Sequence, residues 1–255
     1  MNAPAPLRGV RAAFVFLTRL PVGGFPYRGE DWAWSTAHFP FVGAVLGVFL
    51  GGLHRLLWPL GPTLDAVLVL AASMMLTGGF HEDGLADTSD ALGGGFDREK
   101  VLAILKDSRV GVFGASAVVF SIVARVAALS TLGRDAVWLL PLVGCGARVG
   151  PIWQMLALPY ATPPSASRSR DVVAARPMQA MVATLWFLLV CAVEVHAHLL
   201  APTRALAASA VMAAVTVVSG WRYARRLGGI TGDFLGATEQ LCEIGAYAAL
   251  VWGHR

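Results

Sequence analysis

The chain has 255 residues, of which 56% are hydrophobic and 14% charged, against roughly a quarter charged in soluble proteins. That balance excludes an ordinary water-soluble enzyme and points to a bilayer. The net charge of +4 and the pI near 9.3 come from arginines scattered over short segments, so membrane topology accounts for them better than nucleic-acid binding does.

In chain order, residues 1–22 place Arg8, Arg11 and Arg19 around Phe14-Val15-Phe16-Leu17. This stretch is too short and interrupted to span, and reads as an interfacial amphipathic segment. No small-residue cleavage site follows a continuous apolar region, which argues against a signal peptide. Apolar runs close to the roughly 20 residues of a spanning helix follow at 39–58, 64–80, 110–132, 136–158, 178–200 and 205–221, with a weaker seventh at 241–252. The expected fold is therefore all-α: a polytopic integral membrane helical bundle of about six to seven transmembrane helices. Residues 1–255 form a single domain, because no internal repeat, low-complexity tail or long linker divides them. Cys145, Cys191 and Cys242 are isolated in apolar surroundings and imply neither disulfides nor a thiolate metal site.

With the N-terminus inside, fourteen of the twenty Lys and Arg residues fall on the cytoplasmic side, Arg168 and Arg170 among them, and four (Arg55, Arg134, Arg204 and Arg255) outside. That is a strong positive-inside bias. Arg125 and Arg148 lie within predicted spans. The same arrangement brings two polar segments, 81–109 and 228–233, to one face without having been chosen for it.

Residues 81–111 gather seven of the sixteen carboxylates in a segment expected as a loop between apolar stretches. Asp83, Asp87 and Asp90 stand at i, i+4 and i+7, so in a helical conformation all three project from one face. Like charges so placed repel, and a bound cation, most simply Mg²⁺ with hard oxygen ligands, turns that cost into a binding site. The glycines at 84, 93–95 and 111, with Arg98, Lys100, Lys106 and Arg109, give the mixed polarity that suits phosphoryl chemistry. A zinc-protease reading of His81-Glu82 fails because Leu85 stands where a second histidine is needed.

The string His81-Glu82-Asp83-Gly84-Leu85-Ala86-Asp87-Thr88-Ser89-Asp90 resembles the cobalamin synthase family, the adenosylcobinamide-GDP ribazoletransferases. The resemblance extends to Lys106-Asp107-Ser108-Arg109-Val110-Gly111, Thr231-Gly232-Asp233-Phe234-Leu235-Gly236-Ala237 and Leu17-Thr18-Arg19-Leu20-Pro21. Ala91 departs from the glycine that many members carry there. The resemblance implies the last assembly step of coenzyme B12 at the bacterial cytoplasmic membrane. The ribazole 5′-hydroxyl attacks adenosylcobinamide-GDP, GMP leaves, Mg²⁺ is required, and α-ribazole or α-ribazole 5′-phosphate is the acceptor. Membrane lipids and other membrane corrinoid-assembly enzymes are the further partners.

On this reading Asp83, Asp87 and Asp90 hold one or two Mg²⁺ ions, and one of them accepts the hydroxyl proton. Asp107 either returns to the same site after a helix over 97–106 or pairs with Arg109. Asp233 serves a second metal or a ribazole hydroxyl, or simply caps a helix. His81, Glu82, Lys106, Arg109, Arg148, Thr231 and Glu239 are the substrate-binding candidates. For His81 a capping or supporting role competes, and for Arg148 an ion pair with an aspartate of the acidic segment. Glu239 and Glu243 extend the polar site or snorkel to the interface. Arg222, Arg225 and Arg226 suit lipid headgroups, and Trp32, Trp34, Trp58 and Trp221 suit interface anchors.

Two other functions compete. A CDP-alcohol phosphotransferase would carry Asp-Gly-x-x-Ala-Arg, whereas Asp87 follows Ala86 here and no spaced aspartate pair comes later. A divalent-cation transporter would place its carboxylates near the bilayer midplane on broken helices.

Overall fold

The computed structural model describes residues 3–23, 27–161 and 175–253, and in them the regular structure is helical, with one isolated bridge between Tyr160 and Ile230. Arg168, Arg170 and Arg255, used in the charge count, lie outside the described residues. The helices are α1 (Ala5–Leu17), α2 (Gly29–Ser35), α3 (Phe39–Leu57), α4 (Pro62–Thr77), α5 (Phe80–Gly94) and α6 (Arg98–Ile104). They continue as α7 (Val112–Leu132), α8 (Ala136–Ala147), α9 (Val149–Ala157), α10 (Pro177–His196), α11 (Pro202–Leu227) and α12 (Gly232–Trp252). Pro62, Pro177 and Pro202 open α4, α10 and α11, where a missing N–H costs nothing and a fixed φ is already helical.

Four stretches are long and apolar enough to cross a membrane, and α4 with α5, bent by 90°, makes a fifth as a broken pair. The longest runs from Val112 to Ala157, but it is two traverses. A straight helix would put residues 125 and 148 about 35 Å apart, yet the guanidiniums of Arg125 and Arg148 both reach Glu243, at 3.0 and 3.9 Å. The chain therefore doubles back at the 3₁₀ turn Gly133–Asp135.

Helix α8 returns along α3 at very short range. The glycines Gly43, Gly47 and Gly51 recur every four residues of α3 and face Gly144, Leu140 and Val137 of α8. A Cβ added at Gly47 would lie 2.5 Å from the Leu140 carbonyl oxygen. In a bilayer, where lipid tails are as apolar as leucine, such backbone approach is what drives helices together.

Hydrogen bonds identify the two ends of the bundle. At one end the Arg19 amide donates to Leu76 O, Arg98 donates to Leu227 O and Ala161 O, and Arg226 to Gly95 O. At the other, His54 Nε2 meets Gly133 O, Ser130 donates to Pro62 O and Arg204 to Leu250 O. The segments grouped by charge at the sequence level thus share an end. Trp221 at the first end and Trp58 at the second each sit under an arginine, Arg225 and Arg134.

Several expected boundaries move. The acidic segment is helix α5 from Phe80 to Gly94, not a loop. The span expected at 136–158 breaks at Arg148, which separates α8 from α9. The helix expected as a seventh span at 241–252 starts at Gly232, because Asp233, Glu239 and Glu243 lower its mean hydropathy, and Glu239 is buried inside the bundle. The helix expected over 97–106 runs from Arg98 to Ile104, capped by the Asp97 carboxylate on the Lys100 amide. The N-terminal segment is α1, whose Ala13 and Leu17 pack with Phe39, Val42 and Leu46 of α3, and whose Arg8 pairs with Asp31 of α2 at 2.7 Å.

Candidate active site

The acidic helix is aimed by two glycines. Gly78 and Gly79 adopt φ of +73° and +68°, left-handed values that cost glycine little, and they turn the chain sharply from α4 into α5. From there α5 runs against α7 and α12. Gly84 allows the closest approach: a side chain there would meet the Asp233 carbonyl at 2.8 Å and Gly236 Cα at 3.2 Å.

Because α5 is helical, Asp83, Asp87 and Asp90 lie on one face, but they differ in burial and partners. Asp83 is exposed and Asp87 half-buried, and the charges acting most strongly on Asp87 are those of Asp83, Asp233 and Asp90. Asp233 also feels Asp83. It stands in the first turn of α12, behind Thr231, whose hydroxyl caps that helix by accepting from the Phe234 amide at 3.3 Å. Asp90 is buried, and its two oxygens accept the Gly114 and Gly111 amides at 2.8 and 2.7 Å. It anchors the start of α7, where acceptors and negative charge are favoured.

Asp107 lies apart. Its carboxylate is held by Arg109 at 2.6 Å on an exposed segment, and hydrogen bonds from Arg109 hold its pKa down at about 2. Lys106 beside it is exposed. Arg98 is spent on the carbonyls of Leu227 and Ala161.

Deeper in the bundle lies a charge network that single-residue reading misses. Arg125 of α7 bonds Glu82 at 3.1 Å and Glu243 at 3.0 Å, and Arg148 bonds Glu239 at 3.0 Å. His81 Nδ1 is 3.6 Å from Glu239, which also accepts from Gln240 at 3.1 Å, and Gln240 in turn accepts from Ser121. Neither Glu243 nor Glu239 snorkels, and Arg148 pairs with glutamates rather than with an aspartate of α5. Buried charges at membrane depth persist only when paired. The signal in the sequence was two arginines inside apolar runs with Glu239 and Glu243 four apart; their partnership required three helices to meet.

A cavity of about 170 Å³ opens beside these features, lined by His81, Asp83, Asp233, Arg148 and Glu239 together with Phe16, Leu17, Phe39 and Phe80. Among the described residues, no three His, Cys, Asp or Glu side chains stand close enough to hold a metal ion. Mg²⁺ needs fewer, since it keeps several waters and commonly takes one or two carboxylates plus substrate phosphate. Asp83, Asp87 and Asp233 supply hard oxygen donors of that kind, whereas Asp90 already has an amide on each oxygen.

A family model described as cobalamin-5-phosphate synthase matches residues 9–251. Adenosylcobinamide-GDP ribazoletransferase from Leptothrix cholodnii is 38% identical over 250 residues, covering 94% of each chain. The proteins of the same name from Polaromonas and Rhizobium johnstonii are each 37% identical, covering 93% of this chain and 94% of theirs. No solved structure matches. The matched span includes the acidic helix, both network arginines and the start of α12, and the chain belongs to the cobalamin-5-phosphate synthase family.

Proposed function

We propose that the chain transfers the adenosylcobinamide phosphate moiety from adenosylcobinamide-GDP to α-ribazole or α-ribazole 5′-phosphate, with release of GMP. The observation that carries this reading is the meeting of Asp83 and Asp87 of α5 with Asp233 of α12 beside a cavity, in a chain that the family matches over residues 9–251. The expectation that the 5′-hydroxyl attacks is corrected by the family's product. A cobalamin that carries a 5-phosphate keeps that position occupied, so a ring hydroxyl of the ribose attacks instead.

One or two of the carboxylates of Asp83, Asp87 and Asp233 would hold Mg²⁺, which when bound would neutralise charge on the diphosphate and on departing GMP. A carboxylate of this group accepts the proton of the attacking hydroxyl. Arg148, whose Nε–H is buried without a partner, donates to the phosphate being transferred. The buried network holds α5, α7, α8 and α12 in register, so the aspartates meet substrate already positioned. Cation transport is disfavoured, because the carboxylates at membrane depth, Glu82, Glu239 and Glu243, are tied to Arg125 and Arg148. The site faces the cytoplasm of a bacterial cell, the side to which the arginine bias assigns α6 and the start of α12.

The test is to reconstitute the protein in lipid with adenosylcobinamide-GDP, α-ribazole and Mg²⁺, and to measure cobalamin and GMP with and without chelator. Stoichiometric, chelator-sensitive formation of both is expected. Absence of product with either acceptor would overturn the reading.

A further inference from the structure

The cavity beside the aspartates is lined by both polar and aromatic residues, and the aromatic ones have no part in the chemistry above. Phe16 of α1 stacks on Phe39 of α3, with centroids 5.4 Å apart and planes within 3°, and meets Phe80 of α5 edge-on at 5.4 Å. Phe80 is edge-on to His81 as well. Pro151, Met155 and Leu235 continue the apolar wall. Phe80 leaves 43% of its surface uncovered, so its ring is open to contact while it lines the cavity.

Resting on the function proposed above, we infer that this cavity receives the aromatic base of the ribazole substrate, and that Phe16 and Phe80 determine which bases are accepted. Size comes first. At about 170 Å³ the cavity is smaller than the pockets that hold drug-sized ligands, so it admits a two-ring base and not a corrin macrocycle. Chemistry separates the two remaining aromatic candidates. Guanine carries an amide edge whose donors and acceptors would be stranded against phenylalanine, leucine and methionine, whereas an apolar two-ring base loses nothing there and gains offset or edge-on ring contacts. A base lying against Phe16 and Phe80 shares its cavity with Asp83, Asp233 and Arg148, so its ribose stays among the groups that must activate the hydroxyl. The amphipathic α1 thus becomes a wall of the acceptor site as well as an interfacial anchor.

The experiment measures steady-state kinetics of Phe80→Ala and Phe16→Ala in lipid nanodiscs, varying each substrate separately, with equilibrium dialysis of α-ribazole as a direct binding readout. Loss of a stacked ring should raise the KM for α-ribazole about tenfold or more and weaken its binding in parallel. The KM for adenosylcobinamide-GDP should stay within about twofold, and Phe80→Trp should restore most of the loss. An unchanged ribazole KM, or equal shifts for both substrates, would overturn the inference. Should the alanine variants fail to fold, the wild-type protein decides: it should prefer a benzimidazole riboside to a purine riboside as acceptor, and equal kcat/KM for the two would overturn the idea. A wild-type protein that makes no product would instead sink the functional reading itself.

Discussion

Asp83, Asp87 and Asp90 share one helix face, and their partners rather than their spacing separate their tasks. Asp83 and Asp87 confront Asp233 and each other, so Asp83→Asn or Asp87→Asn should cut GMP release by at least about 100-fold, while helicity and thermal stability in detergent stay near wild type. Turnover close to wild type in both would remove the acidic site from the mechanism. Asp90→Ala should show the opposite signature. It strips two charge-assisted bonds from the start of α7, at a cost of about 3 kcal/mol, visible as a fall in the unfolding midpoint. Asp107 should matter for neither. Its pKa is depressed to about 2 from 3.8, so the Arg109 pair is fully formed above pH 3.8 and is lost only as pH falls toward 2. On so exposed a segment the pair is screened, and Asp107→Asn should leave turnover within about twofold at pH 7. The i, i+4, i+7 spacing made the acidic face legible in the sequence. That Asp90 belongs to a helix start and Asp107 to Arg109 was not, because both depend on where the chain returns after Gly95.

At the scale of helices, hydropathy located α3, α4, α7 and α10 to within a few residues and ended α11 six residues early, at 221 rather than 227, since each carries exposed apolar side chains. It failed where polar residues face inward. Glu239 and Glu243 made α12 look half as long as it is, and their neutralisation by Arg148 and Arg125 on other helices leaves no trace along α12 itself. Arg148 likewise hid the break between α8 and α9. The contact between α3 and α8 was equally silent, although Gly43, Gly47 and Gly51 were in plain view, because a four-residue glycine spacing names a face and not its partner. That contact carries its own prediction. Gly47→Leu has no room against Leu140 and Pro141 and should force the helices apart, lowering the unfolding temperature and the yield of inserted protein. Gly52→Leu, one position beyond the Gly51 contact and facing open space, should insert and melt like wild type. Equal behaviour of the two would mean that the close approach is not what holds the bundle.

For the whole molecule, orientation follows from charge and from which segments share an end. Lys106 is exposed beside α6, which Arg98 ties to the α11 end near Leu227. Arg55 is exposed near the opposite end, one residue beyond His54 and its contact with Gly133. If the arginine-rich end lies in the cytoplasm, a cysteine at 106 is reached by a membrane-impermeant maleimide only in inverted vesicles, and one at 55 only in right-side-out vesicles. The background is simple to remove, since Cys145, Cys191 and Cys242 are free and two of them are buried. Lys106→Cys and Arg55→Cys in a chain lacking those three should therefore label from opposite sides. Reversed labelling would put Asp83, Asp87 and Asp233 on the outer surface, away from cytoplasmic nucleotide-activated substrates, and a transferase that releases GMP would then need a different supply of both reactants. Labelling of both positions from one side would break the bundle's two-ended arrangement itself, because the hydrogen bonds that group 19, 76, 98 and 227 at one end and 54, 62, 133 and 204 at the other cannot coexist with it.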